Sequence, residues 1–598
     1  MASTTGWTIR DWQEAYRNGQ SPQALLEALL YGEDPRDPAW ISLASREQLA
    51  AQIATLSPEQ PLYGVPFAIK DNIDALGFET TAACPEYGYQ PERDAEAVRA
   101  LKEAGAVLIG KTNLDQFATG LVGTRSPWGA VPNTFDDTVI AGGSSSGSAA
   151  LVARGIVPFA LGTDTAGSGR VPAGLNNIVG LKPTRGAIST RGVVPACRSL
   201  DCISVFALTT ADAGVIQNHL ESGESTDPFG RSRLECGSNP DCALRTPGPI
   251  RRLAIPRDPE WYSDDQQRKA WEQALSQWRS LGLELVERDF TTLYAMAALL
   301  YEGPWIAERH AAISAFMETN AAAMNPVVRD IIRRAQGFTA TDAFNGLYQQ
   351  HELRHALDQE LADIDALLVP TAPISPSISA VEADPVHLNA RLGRYTNFVN
   401  LADLCALALP AGFRGDGLPF GITLISGAWR DRDLQELGAH WLNHAPTPLG
   451  ATGRERSPEA PPEPDGGTVQ VTVVGAHLSG MPLNDQLTER GARLLQSTTT
   501  APCYRLYALA GTTPPKPGLR RDPTGNALDV EVWAMPTEHF GSFVDLIPHP
   551  LGIGTVELTD GTWTKGFICE EAGLEGATDI TLLGGWRAYI QSLRAQQG

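Results

Sequence analysis

Apolar and polar positions fall into two regimes along this chain. Through the first 445 residues, short unbroken apolar runs predict buried strands, among them Val107-Leu-Ile109, Ile156-Val-Pro-Phe-Ala-Leu161 and Leu367-Leu-Val-Pro-Thr371. Helical patterns separate them, as over Asp264 to Leu281 and Asp342 to Asp363. The second of these carries Leu353, Leu357 and Leu361 at four-residue spacing, a packing stripe. Such alternation predicts an α/β sandwich with a mixed central sheet. From residue 468 the runs shorten. Val469-Gln-Val-Thr-Val-Val-Gly475, Tyr504-Arg-Leu-Tyr-Ala-Leu-Ala510, Asp529-Val-Glu-Val-Trp-Ala534 and Asp579-Ile-Thr-Leu-Leu583 predict strands, and Arg587 to Arg594 a closing helix. That is a small, β-rich α+β domain. Prolines and charges between Ala445 and Gly467 favour extended, solvated chain, so the expected division is a domain at 1–445, a linker at 446–467 and a second domain at 468–598. Ser222 to Pro249, rich in Gly, Pro, Asp and Ser, reads as a surface excursion.

A chain of 598 residues is too long for a single core, which agrees with two domains. The 47 basic and 69 acidic residues leave a formal charge of −22, which argues against nucleic acid or an anionic membrane as main partner. An anionic substrate would therefore need a local cation. The eight cysteines form no CxxC pair and fit a reducing compartment. The opening Met1-Ala-Ser-Thr-Thr-Gly-Trp7 has no basic and apolar regions of a secretion signal, and no apolar run reaches the roughly 18–20 residues of a membrane span. A cytoplasmic protein is expected.

The candidate chemistry sits in Leu161-Gly-Thr-Asp-Thr-Ala-Gly-Ser-Gly-Arg170, a Gly-rich turn directly after an apolar run. In such a turn successive N–H groups can point one way, beside a hydroxyl nucleophile, Ser168. Ala141-Gly-Gly-Ser-Ser-Ser-Gly-Ser-Ala149 places Ser144 24 residues earlier, and Gly64-Val-Pro-Phe-Ala-Ile-Lys70 places Lys70 74 residues before that. No histidine precedes His219, so the usual base is missing from this region. A lysine can replace it when neutral, and burial favours the neutral amine. The expected relay runs from Ser168 through Ser144 to Lys70, with the N–H groups of Thr165, Ala166, Gly167 and Ser168 as the oxyanion hole. Taken singly, a lysine beside a strand is usually solvated and a Gly/Ser cluster is usually a loop; the three together carry the reading. Two rival motifs are weaker. Gly143-Ser-Ser-Ser-Gly147 fits G-x-S-x-G, which would make Ser145 the nucleophile, but no strand is evident before it. His351-Glu-Leu-Arg-His355 fits the helical zinc motif, but the motif is short and often matched falsely, so a solvated histidine pair is the blander reading and no metal is expected.

The order and spacing of Lys70, Ser144 and Ser168, followed by Gly180-Leu-Lys-Pro-Thr-Arg-Gly186, resemble the amidase signature family. The resemblance runs from about Ile9 to Trp441 and includes Tyr395-Thr-Asn-Phe-Val-Asn400 and Gly417-Leu-Pro-Phe-Gly-Ile-Thr423. It implies an amidase-signature α/β/α sandwich, amide hydrolysis without cofactor by a Ser–cis-Ser–Lys triad, and a cis peptide bond at Ser144. Ser146, Ala166 and Gly169, with Leu299-Leu-Tyr-Glu-Gly-Pro-Trp-Ile-Ala-Glu-Arg-His310, resemble the allophanate hydrolase branch. That implies allophanate (urea-1-carboxylate) as substrate, with Tyr301 and Arg309 recognising it. Eight residues apart, the two would share one side of a helix, and a guanidinium fork suits a small carboxylate. The bland alternative pairs Arg309 with Glu302 or Glu308.

The C-terminal unit resembles the γ-glutamyl cyclotransferase-like domain of that branch, without a clear counterpart of the cyclotransferase acid. In some members of that branch it is assigned to decarboxylation of the N-carboxycarbamate that the amidase step leaves. His477, in Val473-Val-Gly-Ala-His-Leu-Ser-Gly480, is the candidate residue there, against the blander reading of a satisfied histidine at a strand end. A homodimer and a urea carboxylase or other pathway partner are expected. The alternatives are a broader amidase or an amidotransferase of the A type, with the C-terminal unit as a docking module.

Overall fold

The computed structural model describes residues 4–221, 226–231, 244, 250–459, 468–490, 492–512 and 515–597. The chain divides into two compact units, Met1–Pro462 and Glu463–Gly598. Most of the stretch 222–249, and residues 460–467, lie outside the described residues.

The first unit is built on one eleven-stranded sheet of order β1-β3-β2-β4-β6-β5-β10-β11-β9-β7-β8. The strands that place the site are β2 (Pro66–Lys70), β3 (Val107–Thr112), β4 (Phe159–Asp164), β5 (Val179–Lys182) and β6 (Cys202–Ala207). β2 runs parallel to both β3 and β4, while β4 pairs antiparallel with β6, so the sheet is mixed, as the sequence pattern predicts. Every residue of β2, β3 and β4 is buried, and that is why they read as continuous apolar runs rather than alternating ones. The predicted run at 156–161 is displaced: the strand begins at Phe159 and continues to Asp164. β7 (Arg252–Pro256), β8 (Glu284–Arg288), β9 (Ala366–Pro370), β10 (Leu404–Phe413) and β11 (Pro419–Gly427) complete the far side, and β1 (Trp40–Leu43) closes the near edge. The helix Asp265–Ser280, capped by Asp264, matches its predicted span.

A short helix, Ser146–Ala153, packs on β2 and β4 with every residue buried. Its small side chains allow that approach. Ser148 Oγ donates to Leu161 O on β4 at 3.0 Å, so the helix is pinned to the strand. Residues 446–459 are not the free, solvated chain expected of them. Thr210 donates to Glu459 from its N–H (2.8 Å), and Asn443 Nδ2 donates to Glu459 O (2.9 Å). Arg456, also buried, holds the same carboxylate at 2.7 Å. Charged side chains that find buried partners tie this segment to the first unit.

The second unit has a five-stranded sheet of order β13-β16-β12-β18-β17 and a three-stranded sheet β15-β14-β19. β12 (Thr468–Val473), β14 (Tyr504–Ala508) and β16 (Asp529–Pro536) correspond to predicted strands, and the closing helix spans Trp586–Gln597. β13 (Arg493–Thr499), β15 (Pro517–Arg521), β17 (Leu551–Glu557) and β18 (Trp563–Cys569) were not legible as strands. The run at 579–583 is mostly not one: β19 is only Thr578–Asp579, and Thr581–Leu583 form a 3-10 turn. Asp579 Oδ1 accepts the Thr581 N–H at 2.9 Å and so caps that turn. No helix among the described residues is long and apolar enough to cross a membrane.

Candidate active site

Lys70, Ser144 and Ser168 converge. Lys70 ends β2, Ser144 stands just before the helix Ser146–Ala153, and Ser168 lies in the turn after β4. The parallel pairing of β2 with β4 sets the first and last side by side. Lys70 Nζ lies 2.7 Å from Ser144 Oγ, which lies 2.9 Å from Ser168 Oγ. Each hydroxyl can donate in either direction, so the same distances serve a proton passing from Ser168 to Lys70. The Gly143–Ser144 peptide bond is cis, as the family resemblance implied.

Nothing in the sequence singled out Thr163, yet its Oγ1 sits 2.7 Å from Lys70 Nζ. The amine is fully buried, with hydroxyls for neighbours rather than a contacting carboxylate. Burial brings its pKa down from 10.5 to about 7; the charges of Asp115, Asp201 and Asp164 oppose this, and Arg309 assists it. A large neutral fraction at neutral pH follows. Ser145 is a structural hydroxyl, donating to Thr163 O at 3.2 Å.

The turn after β4 that carries Ser168 is held by a buried carboxylate. Asp164 accepts the N–H groups of Gly167 (2.9 Å) and Gly169 (3.0 Å), and both Nε and Nη2 of Arg170 at 2.9 Å. Burial alone would raise the Asp164 pKa, but Arg170 overrides it and keeps the carboxyl below its usual value. Asn400 ties the assembly to the strip 395–400, donating to Asp164 O and Leu200 O at 2.9 Å each. The left-handed φ of +138° at Gly167 needs glycine, because a Cβ would strike Thr396. This corrects the expected oxyanion hole. Gly167 N–H is already committed to Asp164, whereas those of Thr165, Ala166 and Ser168 have no acceptor among the described residues. Asp201 takes the Thr165 hydroxyl and the N–H groups of Ala196 (2.8 Å) and Cys197 (3.2 Å); burial pushes its pKa up to about 6.

Tyr301 and Arg309 meet, but not along one helix. Tyr301 belongs to Thr291–Glu302 and Arg309 to Trp305–Asn320, and Gly303 and Pro304 separate them. Proline has no N–H to continue the first helix, and it stands as N-cap of the second. Arg309 Nη2 still reaches Tyr301 Oη at 3.4 Å, with its guanidinium 5.2 Å from the ring centre, and Nη1 reaches Thr119 Oγ1 at 3.3 Å. Arg309 is only 2% exposed, and its Nε has no partner among the described residues. Neither Glu302 nor Glu308 forms an ion pair with it: Glu308 is taken by Ser199 N and Oγ at 2.7 Å, and it and Asp201 favour the guanidinium charge only from beyond contact. A buried guanidinium without a carboxylate is costly unless an anion joins it. Thr119 and Arg125, which shape this corner, had no sequence signal beyond ordinary polar residues in a loop.

In the second unit His477 lines a cavity of about 120 Å3 with Gln486, Lys516 and Phe567. Its Nε2 lies 2.9 Å from Gln486 Oε1, and its ring stacks on Phe567 at 5.0 Å. Burial lowers its pKa, and the charge of Lys516 adds to that. His351 and His355 stand exposed on the helix Ala340–Glu360. Among the described residues no group of three or more His, Cys, Asp or Glu is placed to hold a metal.

Residues 41–434 match the Amidase family, and residues 469–591 match the allophanate hydrolase C-terminal domain. The chain is 45% identical to the urea amidolyase of Lachancea kluyveri over 99% of its own length and 34% of that protein. The urea amidolyase of Saccharomyces cerevisiae is likewise 45% identical, over 99% of this chain and 33% of its own. The chain thus spans about a third of the length of these curated relatives. Kluyveromyces lactis allophanate hydrolase, a solved structure, is 45% identical and superposes with a TM-score of 0.85, covering 99% of this chain and 100% of that one.

Proposed function

From the premise that the chain belongs to the amidase family, in its allophanate hydrolase branch, we propose that it hydrolyses allophanate. The observation that carries this reading is Arg309: a buried cation that no carboxylate contacts among the described residues, beside a Ser–Ser–Lys chain in a protein of net charge −22. A substrate small enough to touch both must bring its own negative charge close to the amide carbon. Allophanate does.

Ser168 Oγ attacks the terminal amide carbonyl as its proton passes to Ser144, whose own proton passes to neutral Lys70. The N–H groups of Thr165, Ala166 and Ser168 receive the oxyanion. The proton returns from Lys70 through Ser144 to the leaving nitrogen, the C–N bond breaks, and ammonia departs. Water then repeats the sequence on the acyl-enzyme, and N-carboxycarbamate leaves. Arg309, flanked by Tyr301 and Thr119, holds the carboxylate throughout. In the second unit His477 and Lys516 suit the decarboxylation of that dianion, a neutral imidazole beside an ammonium being able to place a proton on the carbamate nitrogen as CO2 leaves. Urea amidolyases are about three times as long as this chain, so the reading extends to a urea-carboxylating partner as the source of allophanate.

Ammonia released from fresh allophanate, compared with malonamide, tests the proposal. Two ammonia per allophanate with little from malonamide supports it. Fast malonamide turnover with none from allophanate replaces it by the broader amidase reading. In His477→Ala the first ammonia should appear at the wild-type rate and the second should lag; simultaneous release of both would remove His477 from the scheme.

A further inference from the structure

Next to Tyr301 lies a cavity of about 500 Å3, several times what a molecule as small as allophanate fills. Its wall reverses the sign of the protein. Arg125, Arg334, Arg391 and Arg394 line it with one carboxylate, Glu302, and Arg394 is paired from outside the lining with Glu260 at 3.1 Å, which still leaves a cationic wall in a strongly acidic chain. Arg394 stacks on Tyr294 at 3.4 Å and Arg391 on Tyr262 at 4.9 Å, so flat aromatic faces hold these guanidinium groups in place.

Arg125 is the unusual member. It is 3% exposed, and among the described residues its side chain donates only to backbone carbonyls, Thr119 O at 2.9 Å and Pro385 O at 2.6 Å. Its Nε has no partner among the described residues, as is also true of Arg309 Nε. The two arginines grip the same residue, Arg309 through the hydroxyl of Thr119 and Arg125 through its carbonyl. Asn397 places a buried, unpartnered side-chain oxygen in the same wall. A guest with a carboxylate and an N–H group would satisfy both the donor and the acceptor.

We propose that this cavity is an antechamber for small carboxylates, in which Arg125 is a second anion-recognising residue that passes the substrate to Arg309. The orphaned Nε of Arg125, which lines the cavity, then finds its partner while an anion is present. Rim arginines raise the local concentration of anions that the −22 charge would otherwise repel. The inference rests on the reading that the substrate carries a carboxylate.

The test is made on the full chain with Arg125→Gln and Arg391→Gln. It combines allophanate kinetics with calorimetric titration of malonate, a non-hydrolysable dicarboxylate. Losing one charge-assisted contact should raise KM about tenfold in Arg125→Gln and roughly threefold in Arg391→Gln, with kcat within about twofold. The malonate Kd should weaken in parallel. Raising salt from about 50 to about 500 mM should weaken malonate binding more in the wild type than in either variant. Should Arg125→Gln not fold, Arg391→Gln at the rim carries the test alone. Equal malonate affinity in the wild type and in the folded variants overturns the antechamber. A wild type that ignores allophanate, yet binds malonate more tightly than its variants, would leave the antechamber standing and remove the proposed substrate.

Discussion

Lys70 shows how much a single buried amine decides. Only its neutral form accepts a proton, and burial brings its pKa down to about 7. Because the shift is downward, the proton is lost near neutrality rather than near pH 10, so kcat/KM should climb as pH rises through about 7 and then level off. A pH–rate profile flat from about 5 to 9 would contradict this. The same shift acts on stability: between about 7 and 10.5 the unfolded chain binds the proton that the native chain has released, so stability should rise with pH across that window. Lys70→Ala and Ser168→Ala should each lower turnover by at least roughly a thousandfold while far-UV circular dichroism stays unchanged. Arg309→Lys keeps the charge but loses the fork, so KM for allophanate should rise about tenfold or more with a smaller change in kcat. That Lys70, Ser144 and Ser168 belong together was legible because each sits in a short stretch of distinctive small residues or at the end of an apolar run. Thr163 was not, since one more threonine at the end of a strand carries no mark of the amine across from it.

Among the elements, the turn after β4 and the break between two helices matter most to the site. Asp164 and Arg170 form a fully buried pair that also organises two N–H groups of the turn. Asp164→Asn leaves Arg170 unpaired and should cost about 3–5 kcal/mol in stability, read from denaturant unfolding, along with most of the activity. The break at Gly303 and Pro304 turns Arg309 back onto Tyr301, and it is covered by the helix Ala340–Glu360 through Gly346. A Cβ at Gly346 would collide with the Pro304 ring. Gly346→Ala should therefore lower the melting temperature and raise KM more than it lowers kcat; unchanged kinetics would show that the helix pair tolerates the shift. The sequence pattern placed residues 301 and 309 on one face of one helix. Periodicity is blind to a two-residue interruption whose neighbours both remain helical.

At the scale of the molecule, each unit has its own apolar core, with Val471, Val532, Trp533 and Phe567 among the residues of the second. Cleavage confined to 460–467 should leave two folded pieces that melt in separate calorimetric transitions, with release of the first ammonia confined to the larger piece. A single transition after cleavage would mean the units do not fold independently. The amino-acid sequence by itself determined the mixed-sheet class, the existence of a second β-rich unit and the identity of the Ser–Ser–Lys constellation. Those features are written in local composition, in period and in spacing along one dimension. The tertiary structure alone decided that residues 446–459 are pinned through Glu459 to Thr210, that Asn400 ties down Asp164, and that Arg309 meets Thr119 with no carboxylate in contact among the described residues. Each of these contacts joins groups 190 or more residues apart in the chain, as Arg309 and Thr119 are. No window of sequence contains both partners, so only the folded chain can show which donors are left for a substrate.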